Sequence, residues 1–204
     1  MTSHAGRFDA VRIDHVIYAV EDLSVAATRI ENELGLEIAG GGRHEGHGTH
    51  NRIVPLGGGY LELLGVADAH EAGSSPFGRG LVQHLKRHGE GWLAWVVAVE
   101  DVELVARRLD TPITRLRRAG LSVRLTGVAE AMDEPSLPFF VSRDPGVADP
   151  GADGDAGGIT SIELAGDPAR LERWLGGASL PVRVVDGPPA VRAVSVGDRT
   201  FGSL

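Results

Sequence analysis

Ile13-Asp14-His15-Val16-Ile17-Tyr18-Ala19-Val20-Glu21-Asp22 and Leu93-Ala94-Trp95-Val96-Val97-Ala98-Val99-Glu100-Asp101 read as one segment written twice. Each is an apolar run of strand length that ends in Val-Glu-Asp and leads into apolar residues at helical spacing. An internal repeat fixes the architecture, because each copy is one supersecondary unit. After the first copy, Asp22 is placed to cap a helix, Leu23, Ala27, Ile30 and Leu34 recur along it, and Gly35 ends it. Leu36–Ala39 starts a second strand that Gly40, Gly41 and Gly42 break. Asn51–Leu56 is a third strand, Gly57-Gly58-Gly59 a hairpin turn and Tyr60–Val66 a fourth strand. Residues 11–66 therefore predict a β-α-β-β-β unit.

The second unit spans 91–143. A connector over 68–90 holds a short helix around Leu81, Val82 and Leu85. A strand over 92–99 leads to a helix from Asp101 to Leu109, which Pro112 interrupts or restarts and Gly120 ends. Leu121–Leu125 and Leu137–Val141 are later strands. Arg115, Arg117 and Arg118 read as a solvated helix face. Residues 144–158, rich in Gly, Pro and Asp, form a loop. Beyond it come a strand over Ile159–Ala165, a helix with Pro168 at its first position, and three short strands between Val182 and Phe201. Residues 159–204 thus predict a shortened third unit. The expected fold is α+β, with tandem β-α-β-β-β units around a cleft, all packed as one domain.

Composition narrows the function. The 204 residues are 42% hydrophobic and 24% charged, with a net charge of -8. That acidity disfavours nucleic acid, whose phosphates require Lys and Arg, and docking on anionic membranes. No run approaches the roughly 20 apolar residues of a membrane span. Residues Met1–Arg7 carry no apolar signal core and read as a short disordered lead. The chain has no cysteine, which excludes disulfides, thiolate catalysis and Cys-bound zinc, and fits a cytoplasmic protein. The glycine runs lack the spacing of a phosphate loop, and no nucleophile elbow is present.

The paired units, with Ile13-Asp14-His15-Val16, His44, Gly48-Thr49-His50-Asn51, Gly59-Tyr60-Leu61-Glu62-Leu63-Leu64 and Leu137-Pro138-Phe139-Phe140-Val141, resemble the vicinal oxygen chelate superfamily. Its members include glyoxalase I, extradiol dioxygenases, methylmalonyl-CoA epimerases and fosfomycin-resistance proteins. The resemblance is to its glyoxalase-like branch of bacterial proteins. It implies two half-barrels around a cleft and, in metal-dependent members, ligands from the first and fourth strands of each unit. It also implies lyase, isomerase or dioxygenase chemistry on a small molecule, and it allows a homodimer. His15 and Glu62 match the ligand positions of the first unit. In the second, alignment of the Glu-Asp pairs puts Ala94 opposite His15, and spacing puts Phe140 near the fourth-strand position.

Strand alternation puts Tyr60 and Glu62 on one face. If His15 shares their cleft, an imidazole meets a carboxylate. The pair could hold a divalent metal, Glu62 could act as a base, or the two could simply pair. Two protein ligands fall short of the four of a structural metal site, so a divalent metal and no cofactor both stay open. His44 and Asn51 are expected to line the cleft and bind the ligand, with His50 pointing away. His44, His47 and His50 in their Gly-rich loop could converge on a metal and make up the shortfall, although their spacing matches no recognised motif. Trp95 and Phe140 are expected to supply apolar walls for a small-molecule pocket. Glu163 in Ser161-Ile162-Glu163-Leu164 imitates Glu62, yet as part of a unit's first strand it would face away. Two functions follow: an enzyme acting by proton transfer on a small carbonyl or enolisable compound, with or without a metal, and a metal-free protein that sequesters a small molecule.

Overall fold

The computed structural model describes residues 11–118, 121–144 and 146–204; the N-terminal lead, Gly120 and Pro145 lie outside the described residues. The first unit consists of β1 (Arg12–Ala19), α1 (Leu23–Arg29), β2 (Gly40–His44), β3 (Thr49–Pro55) and β4 (Tyr60–Val66). Asp22 caps α1 by accepting from the backbone N–H groups of Ser24 and Val25 at 2.8 and 3.0 Å. The last turn widens into a π-helical turn over Ile30–Leu34, and Gly35 stops it at a left-handed φ of 67°. Two connecting helices follow, α2 (Ala69–Ala72) and α3 (Pro76–His88). Ser75 caps α3 by accepting from Gly78 N–H, with Pro76 in the first turn. The second unit is β5 (Gly91–Ala98), α4 (Val102–Leu109), β6 (Ile113–Arg118), β7 (Leu121–Thr126), α5 (Val128–Asp133) and β8 (Phe139–Arg143).

The two units form one eight-stranded sheet in the order β2-β3-β4-β1-β5-β8-β7-β6. The two copies of the repeat, β1 and β5, pair antiparallel at its centre, and each runs parallel to the last strand of its own unit. The edge strands β2 and β6 come into contact, so the sheet curls almost into a barrel.

Two elements differ from the sequence reading. The second strand lies on Gly40–His44 rather than on Leu36–Ala39. Those glycines extend instead of breaking, because β2 runs close against β3: a Cβ on Gly41 would stand 2.0 Å from the Asn51 carbonyl oxygen. The arginines after Pro112 lie on strand β6, not on a helix. Asp110 ends α4 in the left-handed region at φ 55°, and beyond Pro112 the pattern alternates, with Leu116 buried and Ile113 and Arg115 exposed. This strand supplies the second unit with its missing element.

A bulge decides the faces. Along β1 and β5, Ile13 pairs with Val97 and His15 with Val96, leaving Asp14 as an extra residue. Further on, Ile17 pairs with Ala94 and Tyr18 with Trp92, leaving Leu93 as the extra residue. The two bulges occupy equivalent places in the repeat. An extra residue shifts the alternation. Ile13, Val16 and Tyr18 accordingly share one apolar cluster, while Ile17 and Ala19 belong to another on the opposite face.

Residues 159–204 form β9 (Ile159–Ala165), α6 (Pro168–Leu175), β10 (Val182–Val185), β11 (Ala190–Val196) and β12 (Arg199–Phe201). The order of elements is β-α-β-β-β again, but the sheet order is β10-β9-β11-β12. The strand after the helix joins the first strand in parallel here, whereas in the first two units the last strand does. This small sheet packs Ile162, Leu164, Val191 and Val194, with Leu171 and Trp174 of α6, onto the convex face of the large one. Among the described residues, no helix is long and apolar enough to cross a membrane.

Candidate functional site

The concave face of the large sheet holds a narrow cavity of about 40 Å³. Its polar wall is His15, Tyr60 and Glu62 from the central strands, with His44 and Asn51 from β2 and β3. Its apolar wall is Phe139 and Val141 of β8, Leu116 of β6, Val123 and Leu125 of β7, and Phe77 of α3. Arg143 closes one end. A wider depression of about 470 Å³ lies beyond the Gly57–Gly59 turn. The ionisable side chains there, Arg12 and Asp149, are already paired with each other at 2.6 Å, so the chemistry belongs to the narrow cavity.

Glu62 is almost wholly buried, and each of its oxygens faces a partner. Asn51 Nδ2 donates to Oε1 at 2.5 Å, while Asn51 Oδ1 accepts from Gly42 N–H at 3.0 Å and so fixes the orientation of the amide. His15 Nε2 lies 3.3 Å from Oε2, and His44 Nε2 3.7 Å from Oε1. His44 Nδ1 is held 2.9 Å from the Thr49 hydroxyl. The His15 ring stacks on Tyr60, with centroids 4.3 Å apart and planes 14° from parallel.

Behind His15 stands Asp14, whose side chain is fully buried. The bulge brings these consecutive residues side by side, and His15 Nδ1 lies 2.7 Å from Asp14 Oδ2. An ionised carboxylate only accepts, so Nδ1 carries the proton and Nε2 points at Glu62. Arg143 grips Asp14 with two parallel hydrogen bonds of 2.6 and 2.8 Å. Charges alternate along the row Arg143, Asp14, His15, Glu62.

The protonation states follow from burial and these bonds. Burial would raise the Asp14 carboxyl, but hydrogen bonds from His15 and Arg143 outweigh it and hold it well below the ordinary carboxylate range. Burial likewise opposes ionisation of Glu62, yet the His15 hydrogen bond, the charges of His15 and His44, and Asn51 bring it down to about 2. For His15, burial favours the neutral ring, but the two carboxylates prevail and raise it above 6.5. The resting site therefore favours an imidazolium between two carboxylates.

Four of the residues expected from the sequence, His15, Glu62, His44 and Asn51, meet in this cavity. Trp95 and Phe140 do not. Both lie on the convex face, under the C-terminal sheet, where Trp95 Nε1 donates to Ser136 O at 3.2 Å and Phe140 packs against Trp174. The register explains the correction. Ile17 pairs with Glu62 in the first unit and Val96 with Phe139 in the second, so Phe139 is the counterpart of Glu62. A one-residue offset on a strand exchanges its faces. Glu163 sits in the C-terminal sheet, ion-paired with Arg183. Asp14 and Arg143 escaped the sequence reading. A carboxylate beside a histidine was visible, but its use depends on the bulge, and Arg143 lies 129 positions away.

As metal donors, the cavity presents the Nε2 atoms of His15 and His44 and the Glu62 carboxylate, all on the first unit's side. The second unit faces them with Phe139 and Val141. Among the described residues, no group of three or more His, Cys, Asp or Glu is arranged to hold a metal ion. The chemistry considered below uses these side chains alone.

Comparison with known proteins agrees with this architecture. The model of the glyoxalase-like domain family matches residues 13–178. Among solved structures, a hypothetical protein from Staphylococcus aureus is similar over 87% of each chain, with a TM-score of 0.67 and 15% identity. A hypothetical protein from Bacillus halodurans matches 69% of this chain and 98% of its own, at TM-score 0.51 and 15% identity. A variant of methylmalonyl-CoA epimerase from Streptomyces coelicolor, in complex with 2-nitronate-propionyl-CoA, matches 68% of this chain and 96% of its own, at TM-score 0.50 and 19% identity. At these identities the likeness is one of fold. No curated protein sequence matches the chain.

Proposed function

Since the chain belongs to the glyoxalase-like domain family of the vicinal oxygen chelate superfamily, we propose that it is an enzyme that binds a small carbonyl compound in the narrow cavity and moves a proton at the carbon beside the carbonyl. The observation that carries this reading is the buried Glu62 carboxylate with His15 Nε2 at 3.3 Å, opposite an apolar wall. Apolar surface with a few convergent polar groups suits a small organic ligand.

A carboxyl held at about 2 is a weak base while the cavity is empty. The hydrogen bond from His15 contributes most to holding it there. A carbonyl oxygen that takes the His15 N–H removes that restraint, and burial then raises the basicity of Glu62. The carbon–hydrogen bond breaks, and its proton goes to Glu62. The electron pair forms the carbon–carbon double bond of an enolate, and His15 donates to the enolate oxygen. Asp14 and Arg143 keep the His15 ring turned toward the cavity. Return of the proton to the same carbon gives exchange with solvent, its delivery to the enolate oxygen or to a neighbouring carbon completes an isomerisation, and loss of a leaving group from the neighbouring carbon completes an elimination.

The test is deuterium uptake at the carbon beside the carbonyl, followed by NMR in D₂O over 2-oxoaldehydes, acyl thioesters and simple ketones. Glu62→Gln keeps the shape and removes the base, so exchange should fall by about 10²- to 10⁴-fold with an unchanged fold. Exchange that survives this substitution removes Glu62 from the mechanism. Exchange lost on dialysis against a chelator and restored by a divalent ion shows that the pair works through an ion. Tight binding with no exchange for any compound points to the sequestering protein instead.

A further inference from the structure

We infer that the ligand site has a second compartment beyond Phe77, which takes an uncharged apolar arm attached to the carbonyl group. The inference rests on the proposed function only for the carbonyl head. The inner cavity, about 40 Å³, is small: a single water needs roughly 10–15 Å³ by this measure. Apart from Arg143, every residue lining it is buried. Against it lies a second cavity, also of about 40 Å³. Phe77 and Leu125 line both and form the partition.

The outer cavity differs in three ways. Two of its lining residues, Pro76 and Pro112, are exposed, whereas all the inner lining but Arg143 is buried. It carries no aspartate, glutamate, lysine or arginine; the rest of its lining is His47, Thr114, Val128 and Ala129. Its histidine is kept neutral by burial, which lowers its pKa. His47 is 9% exposed, and its Nδ1 is buried without a hydrogen-bond partner among the described residues. Its ring meets Phe77 edge to face at 6.3 Å, and Phe77 meets Phe139 of the inner cavity the same way at 6.1 Å. A ring with empty space on both sides lacks part of its packing, so it turns at small cost and joins the compartments. Such a channel selects an alkyl or aryl carbonyl compound, with the carbonyl at His15 and Glu62 and the arm at His47.

The probes are linear methyl ketones from butanone to octan-2-one, titrated into the full chain with ¹⁵N-labelled histidine. Butanone should move the imidazole signals of His15 and His44 alone. Longer ketones should also move that of His47, and Kd should fall about fourfold per added methylene until the outer cavity is full. Ala129→Phe fills that cavity from a half-buried position on α5. It should abolish the gain with length and leave butanone binding unchanged. Phe77→Ala merges the compartments and should extend the gain to longer ketones; if this buried position fails to fold, Ala129→Phe decides alone. A Kd independent of length, an unmoved His47 signal, a gain that persists in Ala129→Phe, or no binding of any ketone overturns the compartment. A gain with length but no deuterium exchange overturns the proton-transfer chemistry and leaves the compartment standing. Exchange without a gain does the reverse.

Discussion

Replacing Arg143 with methionine tests whether the second unit holds the acid–base site together. The Asp14 side chain is 0% exposed and that of Arg143 13%, so solvent screens their pair little. Methionine fills much of the space of the arginine stem and removes both hydrogen bonds to Asp14. Breaking a buried ion pair from one side costs about 3–5 kcal/mol, because a charge is left without its partner. His15 still binds Asp14 at 2.7 Å, which puts the expected loss near the lower end, about 3 kcal/mol. For a chain of this size that is a fall of about 6–12 °C in Tm. The pH dependence has a definite sign. Asp14 is held below its ordinary value, so its contribution is present above the unfolded carboxyl value of about 3.9 and is lost as pH falls below it. Without Arg143, burial counts for more and Asp14 takes up its proton at higher pH, so the difference between wild type and variant shrinks toward acid. Urea and thermal melts at several pH values measure this. In an Asp14→Asn background the Arg143→Met penalty should largely disappear. A penalty below about 1 kcal/mol, the range of exposed pairs, or one that is equal in both backgrounds refutes the reasoning.

Three further outcomes are expected. His15 is raised above 6.5, so its stabilisation is complete below the unfolded value and is lost as pH rises through the folded one; urea melts from neutral to alkaline pH should show this slope in wild type and not in His15→Asn. Gly41→Ala should destabilise the protein by about 1–3 kcal/mol, since φ is 148° and the new Cβ meets the Asn51 carbonyl; a soluble variant of wild-type Tm would show that β2 does not press on β3. A chain ending at residue 144 should aggregate, because it uncovers Trp95, Val97 and Phe140; a monomeric, cooperatively melting truncate would mean that the C-terminal sheet is dispensable.

The candidate site was legible where it depends on local pattern. Glu62 sits in a run whose alternation is intact, His15 keeps step with Ile17 beyond the bulge, and the two strands lie next to each other. His44 and Asn51 follow from the same frame. Where a single residue of register matters, the pattern misleads. Leu137-Pro138-Phe139-Phe140-Val141 is apolar throughout, so alternation does not tell which phenylalanine faces the cleft, and only the pairing of Val96 with Phe139 decides. Trp95 failed for a related reason: a strand buried on both faces shows no polarity difference between them.

The sequence by itself determined the two-unit plan, because periodicity and the Val-Glu-Asp endings are short-range properties that repeat. It also put a carboxylate and imidazoles on the first unit's strands, where alternation and spacing are local. The tertiary structure decided how these become a site. The bulge at Asp14 depends on how β1 pairs with β5. The grip of Arg143 on Asp14 depends on β8 being brought across the sheet to the end of β1, and the burial of Trp95 and Phe140 on a C-terminal sheet whose strand order departs from the repeat. These are contacts between residues far apart in the chain. Their energies come from burial and charge pairing in three dimensions, and no local spacing of residues encodes them.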